Sequence, residues 1–443
     1  MKEAITKTDL KNFEKAYKQS SSLVAQNAVT RVGILEASTN TELAKTLPHS
    51  FSVQIDAGKI TNQKQSGRCW MFAATNVFRI EVMKKLNLEN FELSQSYPLF
   101  FDKLEKSNYF LESILKTLDE ETSSRLVSYL LKDPVNDGGQ WDMFVSLVKK
   151  YGVVPKQVMP ETFQSSNTRA LDKFLTVKLR GFACRLRDEH KKGKSLSDLR
   201  AMKDEMLETI YRMLTISLGV PPKTFTFETR DKDNKFIRLE NMTPTEFYDK
   251  YVSLNLDDFI SVINAPTTDK PFMRSFTVKF LGNVVGGRQV KYLNLPIDEL
   301  KKLAIAQLKD NQAVWFGSDV GQCSTGDTGF LDLDAYNVDK LFNTDFPMDK
   351  AQRLDYGESL MTHAMVLTGV NLLDDKPNRW RVENSWGDTH GDKGYYVMSD
   401  DWFSQYTYQI VVNKKYLSPE QLKAYEAKPI ELEPWDPMGS LAL

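Results

Sequence analysis

The run Cys69–Leu86 carries Trp70, Phe72, Val77, Phe78, Ile80 and Met83, which at helical spacing occupy most of the circumference of one helix. A helix that is apolar on nearly every side cannot lie on a surface, so it must stand at the centre with the rest of the chain packed around it. With 443 residues there is enough chain to do this: about three structural units, and a core that needs no metal or disulfide staples. The balance of 58 basic against 59 acidic residues weighs against a protein built to coat nucleic acid. Three cysteines, Cys69, Cys184 and Cys323, are too few and too scattered for a disulfide framework. The first residues are charged where a signal peptide needs an apolar run, and no stretch approaches the length of a membrane span. A soluble protein of a reducing compartment is expected.

Around the central helix the pattern changes along the chain. Residues 8–19 read as an amphipathic helix with Leu10, Phe13 and Tyr17 on one face and Thr8 or Asp9 as its cap, followed by a polar stretch to about residue 50. Residues 97–132 look helical; Asp133-Pro134 opens a loop that ends in Gly138-Gly139, and a helix follows from Trp141 to Lys150. From 167 to 218 the periodicity predicts a helical hairpin, broken near Lys191-Lys192-Gly193 and exposed on its charged side. Segments 276–280 and 290–293 form two arms around Gly286-Gly287. After a capped helix at 297–309, strand-like segments dominate at 313–319, 363–370, 379–384 and 394–398. Helical first, mixed next and β-rich last, the order predicts an α+β protein whose helical and β layers meet at a cleft.

The chemistry concentrates in Gln63-Lys64-Gln65-Ser66-Gly67-Arg68-Cys69-Trp70. A thiol at the first position of a helix sits at the positive end of the helix dipole, which favours the thiolate, and Gly67 lets the loop turn into the helix. Alone, a Cys beside a Trp is more often core packing. A nucleophilic thiol also needs a base, and the base an orienting partner. Of four histidines, His49 and His190 read as surface residues and His390 lies in a turn-like loop. His363 opens the apolar run Ala364-Met365-Val366-Leu367, where a polar ring must find a partner. Asn384-Ser385-Trp386-Gly387 then offers an amide at a strand end beside an indole able to shield a His–Asn hydrogen bond from water.

In this order, Gln63, Cys69-Trp70, a strand-borne His363 and Asn384-Ser385-Trp386-Gly387 resemble the papain-like cysteine peptidases. The separation of Cys69 from His363 far exceeds the roughly 130–150 residues of that family, which locates a large insertion within 160–300. Ser66 stands where secreted members carry a bridged cysteine, and Asn136 at the position of its partner, as in an intracellular branch. Leu432-Glu433-Pro434-Trp435-Asp436-Pro437-Met438-Gly439 is similar to the tails of bacterial aminopeptidase C proteins. The chain therefore resembles the bleomycin hydrolase/aminopeptidase C family.

The resemblance implies a two-lobed papain-like fold: an N-terminal arm and helical lobe in 1–160, a helical insertion with a mixed β segment in 161–300, a β-rich lobe in 301–431, and a tail, 432–443, that enters the cleft. It implies a cytoplasmic cysteine aminopeptidase acting on peptides without a cofactor, assembled as a homohexamer through the inserted helices. Cys69 is then the nucleophile, His363 the base and Asn384 its orienting partner, and Gln63 with the Cys69 N–H forms the oxyanion hole. Gly138, Gly139, Trp386 and the end of the tail at Leu443 line the substrate site. Two other readings remain: a broad thiol hydrolase of aminoacyl amides, and weak nucleic-acid binding through Lys191-Lys192-Gly193-Lys194. A metal enzyme is not expected, for there is no His-Glu-x-x-His and no paired cysteines at ligand spacing.

Overall fold

The computed structural model describes residues 3–20 and 22–442. The apolar run folds as the helix Cys69–Leu86, and Trp70, Phe72 and Phe78 within it are fully buried. It is surrounded by the helices Ser96–Lys116 and Trp141–Tyr151 on one side and by a twelve-stranded sheet on the other. The contact between helix and sheet is specific: Trp315, on strand Val314–Ser318, donates its indole N–H to the Trp70 carbonyl at 3.2 Å. Ring packing continues outward, Phe78 meeting Trp141 edge-on at 6.2 Å and Trp141 lying 6.4 Å from Trp315.

Strand His363–Leu373 lies inside this sheet, paired antiparallel with Val314–Ser318 on one side and with Lys376–Glu383 on the other. Its first eight residues are buried, as the apolar run predicts. The two arms around Gly286-Gly287 are the antiparallel strands Arg274–Val278 and Lys291–Asn294. The far edge of the sheet is supplied by Ile430–Leu432, which pairs parallel with Arg274–Val278. The hairpin is a pair of helices, Arg169–Lys191 and Leu196–Leu218, broken where expected, and both pack on Ser96–Lys116.

Four local expectations are corrected. The first helix, Lys7–Gln19, is capped by Thr6 and not by Thr8 or Asp9: the Thr6 hydroxyl accepts the Asp9 N–H while the Asp9 carboxylate accepts the Thr6 N–H. The stretch to residue 50 contains the helices Leu23–Val32, Ile34–Ser38 and Leu43–Thr46. The helical region at 97–132 is two helices, Ser96–Lys116 and Arg125–Lys132. The helix Ile297–Lys309 begins without a side-chain cap, and acidic Asp298 and Glu299 in its first turn complement the dipole instead. Among the described residues no helix is long and apolar enough to cross a membrane.

Candidate active site

Cys69 is the first residue of the central helix, and its side chain is fully buried at the junction of helix and sheet. The Ala364 N–H points at Cys69 Sγ from 3.4 Å, which brings the strand opening with His363 against the thiol. On that strand, His363 Nε2 lies 2.9 Å from Asn384 Oδ1. With the amide oxygen accepting from Nε2, the imidazole is held in the tautomer whose Nδ1 is free of a proton and able to take one. The Trp386 indole lies over the imidazole, ring centroids 4.9 Å apart, and keeps water from the His363–Asn384 bond. Asn384 itself is set by strand Lys376–Glu383, whose last residue, Glu383, forms a buried ion pair with Arg79 of the Cys69 helix at 2.5 Å. The two elements that carry thiol and amide are thus tied through charges that water does not reach.

Burial pushes the Cys69 thiol up, to about 12, against the pull of the Ala364 and Trp70 N–H groups. Burial thus works against the preference for thiolate that the helix terminus provides.

Gln63 reaches the same place from the loop before the helix. Its side-chain oxygen accepts from the Ser385 hydroxyl at 2.7 Å, and one of its two amide hydrogens goes to the Ser66 carbonyl at 2.6 Å. That leaves one amide hydrogen of Gln63 for a further acceptor. Ser66 and Asn136 form no bridge; the Ser66 hydroxyl donates to the Gln63 carbonyl and accepts from Arg68 Nε. Fully buried Arg68 then makes a bidentate pair with Glu161, at 3.0 and 2.8 Å.

A second fastening was not legible in the sequence. The Asp137 carboxylate accepts the Gly67 N–H at 2.7 Å, and its main-chain carbonyl accepts the Trp70 indole N–H at 2.7 Å, so one residue grips the chain on both sides of Cys69. The other carboxylate oxygen meets Lys103, which is fully buried and also meets Asp172 of the inserted hairpin, at 2.7 and 2.5 Å. Burial would raise the Asp137 carboxyl, but Lys103, Thr168 and the Gly67 N–H outweigh it and hold the group well below the ordinary carboxylate range. Burial pushes Asp172 up, to about 7, since one cation cannot fully compensate two carboxylates. The sole sequence signal for this cluster was an acid directly before Gly138-Gly139.

The glycine pair faces two ways. A Cβ on Gly139 would stand 2.4 Å from the Trp70 indole, so the indole fills the space a side chain would take. On its other side the Gly139 N–H donates to the Ala442 carbonyl at 3.2 Å, an antiparallel bridge between this loop and the chain's own tail. Gln140 adds a bond from its amide to the Ser440 carbonyl at 2.7 Å. The Gly138 carbonyl accepts from Lys106 at 2.6 Å. Leu443 lies outside the described residues. Away from this site, His190 lies near Asp119 and His390 near Asp327, Cys184 is exposed, and Lys192 and Lys194 both pair with Glu189.

Residues 4–439 match the peptidase C1-like family. The chain belongs to that family. It is 50% identical over 444 residues to the aminopeptidase C of Listeria innocua, with all of both chains covered. Human bleomycin hydrolase is 44% identical over 430 residues, 95% of this chain and 94% of that one. Among solved structures, PepW from Lactobacillus rhamnosis superposes over the whole of both chains with a TM-score of 0.98 at 52% identity. The thiol of Cys69, the imidazole of His363 and the amide of Asn384 stand at one junction of helix and sheet.

Proposed function

We propose that this chain is a cysteine aminopeptidase that removes residues one at a time from the N-terminal end of peptides, working in the cytoplasm as a homohexamer. The observation that carries the reading is the pairing of Ala442 with Gly139. The tail occupies the strip of cleft wall where a substrate backbone would pair, so a peptide has room for little beyond its own first residue on that side of Cys69.

In this reading the Cys69 proton passes to His363 as the sulfur attacks the carbonyl carbon of the first residue. The oxyanion takes hydrogen bonds from the Gln63 amide and the Cys69 N–H. Collapse breaks the peptide bond, His363 returns the proton to the leaving amine, and a thioester to Cys69 remains. Water, deprotonated by His363, then hydrolyses the thioester and frees the amino acid and the thiol. Asn384 keeps the imidazole in orientation without adding a negative charge.

Assembly is supported by faces left bare in one chain. Helices Lys7–Gln19 and Leu23–Val32 bury none of their described residues, and Phe13 is 59% exposed. Phe174, Val177 and Ile216 of the inserted hairpin are exposed as well. Similarity to human bleomycin hydrolase favours a second reading, with a wider range of aminoacyl amides among the substrates.

The test is to incubate the protein with a ten-residue peptide and follow product masses in time. The expected products are single amino acids and peptides shortened stepwise from the N-terminus, with none from Cys69→Ala. An unchanged digest by Cys69→Ala, or internal fragments from the intact chain, overturns the reading. A panel of aminoacyl amides of non-peptide amines, run beside it, measures how far activity extends beyond peptides.

A further inference from the structure

We propose that the ion pair between Lys270 and Asp436 is the fixed point that sets how far the C-terminal segment reaches into the cleft, and hence how many residues are removed per turnover. The proposal rests on the aminopeptidase reading above and names the residues that impose its register.

The segment is held at three places. At its start, Ile430–Leu432 is a sheet strand, and the Lys279 N–H donates to the Leu432 carbonyl at 3.0 Å. At its far end the Ser440 and Ala442 carbonyls accept from Gln140 and Gly139. Those last contacts are to backbone atoms, which every residue possesses, so they would hold the tail equally well after a slip. Register must therefore come from a side chain between the two ends.

Asp436 is that side chain. One of its carboxylate oxygens accepts the Met438 N–H at 2.8 Å, and the other meets Lys270 Nζ at 2.9 Å. The Lys270 side chain is 4% exposed and that of Asp436 12%, whereas the second acid on Lys270, Asp269, is 59% exposed. Asp436 is thus the partner that compensates the lysine on its buried side. Lys270 is itself rooted: its N–H donates to the Thr267 carbonyl and its carbonyl accepts from Asn294. Pro437 follows at once with its φ fixed by the ring, so a shift at Asp436 is passed on towards Ser440 and not absorbed. Trp435, under the Arg125 guanidinium at 3.9 Å, and the Tyr292 hydroxyl on the Met438 carbonyl steady the same turn. Beside Gly439, Ser440 and Leu441 lies a cavity of about 300 Å³, also lined by Lys106, Tyr109 and Tyr129, which gives an unpinned tail room to move.

Asp436→Asn keeps an oxygen for the Met438 N–H and removes only the charge; Lys270→Met removes the opposite charge. The ten-residue peptide is digested by each, by Lys270→Arg, and by a chain lacking residues 440–443. The share of dipeptides and internal fragments is expected to rise about tenfold or more in the first two variants. Lys270→Arg is expected to give the products of the parent. The double variant Lys270→Met/Asp436→Asn leaves no unpaired charge and serves where a single change unfolds the chain. Single residues only from all charge-removing variants, with internal fragments from the truncated chain, overturns the pin and leaves the tail reading standing. Single residues only from the truncated chain as well overturns both.

Discussion

Around Lys103 two carboxylates share one buried cation, and the arrangement has a definite dependence on pH. Asp172 has its pKa raised from about 3.9 in the unfolded chain to about 7 in the fold. Between those values the folded chain binds the extra proton, so this residue favours the folded state at low pH and the benefit is lost as pH rises to neutrality. Asp172→Asn is therefore expected to melt at a temperature that, relative to the parent, climbs as pH goes from about 4 to about 8; a difference independent of pH in calorimetry would contradict this. Gly139→Ala drives a methyl group into Trp70, the neighbour of the nucleophile. A loss of about 1–3 kcal/mol in denaturant unfolding is expected, with a fall in kcat as Trp70 shifts Cys69. The patterns around Cys69, His363, Asn384 and Gln63 could be read in the sequence because each is short and local. Lys103, Asp172 and Asp137 were not, since no local pattern says which buried charge meets which across the fold.

Among the elements, the Cys69–Leu86 helix and the strand ending at Glu383 are joined by Arg79 in a pair that is 1% and 0% exposed. Arg79→Met should cost about 3–5 kcal/mol by leaving Glu383 charged and unpaired, and Arg79→Met/Glu383→Leu should recover part of it; equal losses in the two proteins, read from urea melts, would refute the pairing energy. Arg79, flanked by Phe78 and Ile80 on a helix with apolar residues on most sides, was a readable sign that an acid must meet it. The helices and strands were largely legible because periods of 3.6 and 2 persist over many residues. The first cap was misplaced because its acid lies three residues on, at Asp9, and points back to Thr6. The inserted hairpin read as an appendage with a charged face. It also holds the nucleophile loop, through Asp172 on Lys103 and, just before it, Glu161 on Arg68 and the Gln65 N–H on the Ser166 carbonyl.

For the whole molecule, helices Lys7–Gln19 and Leu23–Val32 bury none of their residues within one chain, and amphipathic helices of this length are marginal in water without a packed face. Sedimentation at micromolar concentration is expected to show a hexamer, and removal of residues 1–32 to lower its mass; a stable monomer in the intact protein would exclude assembly. The α+β architecture was legible from the order of patterns along the chain. The continuity of one sheet across what looked like separate segments was not, since strand pairing between distant residues leaves no trace in either segment alone. One consequence of that long-range construction concerns synthesis. The sulfur and the strand that faces it are 295 residues apart. A chain still emerging from the ribosome, with its Cys69–Leu86 helix complete, has the thiol but neither the imidazole nor the amide. In the proposed reading, hydrolytic power arrives only when nearly all of the polypeptide has been made and docked.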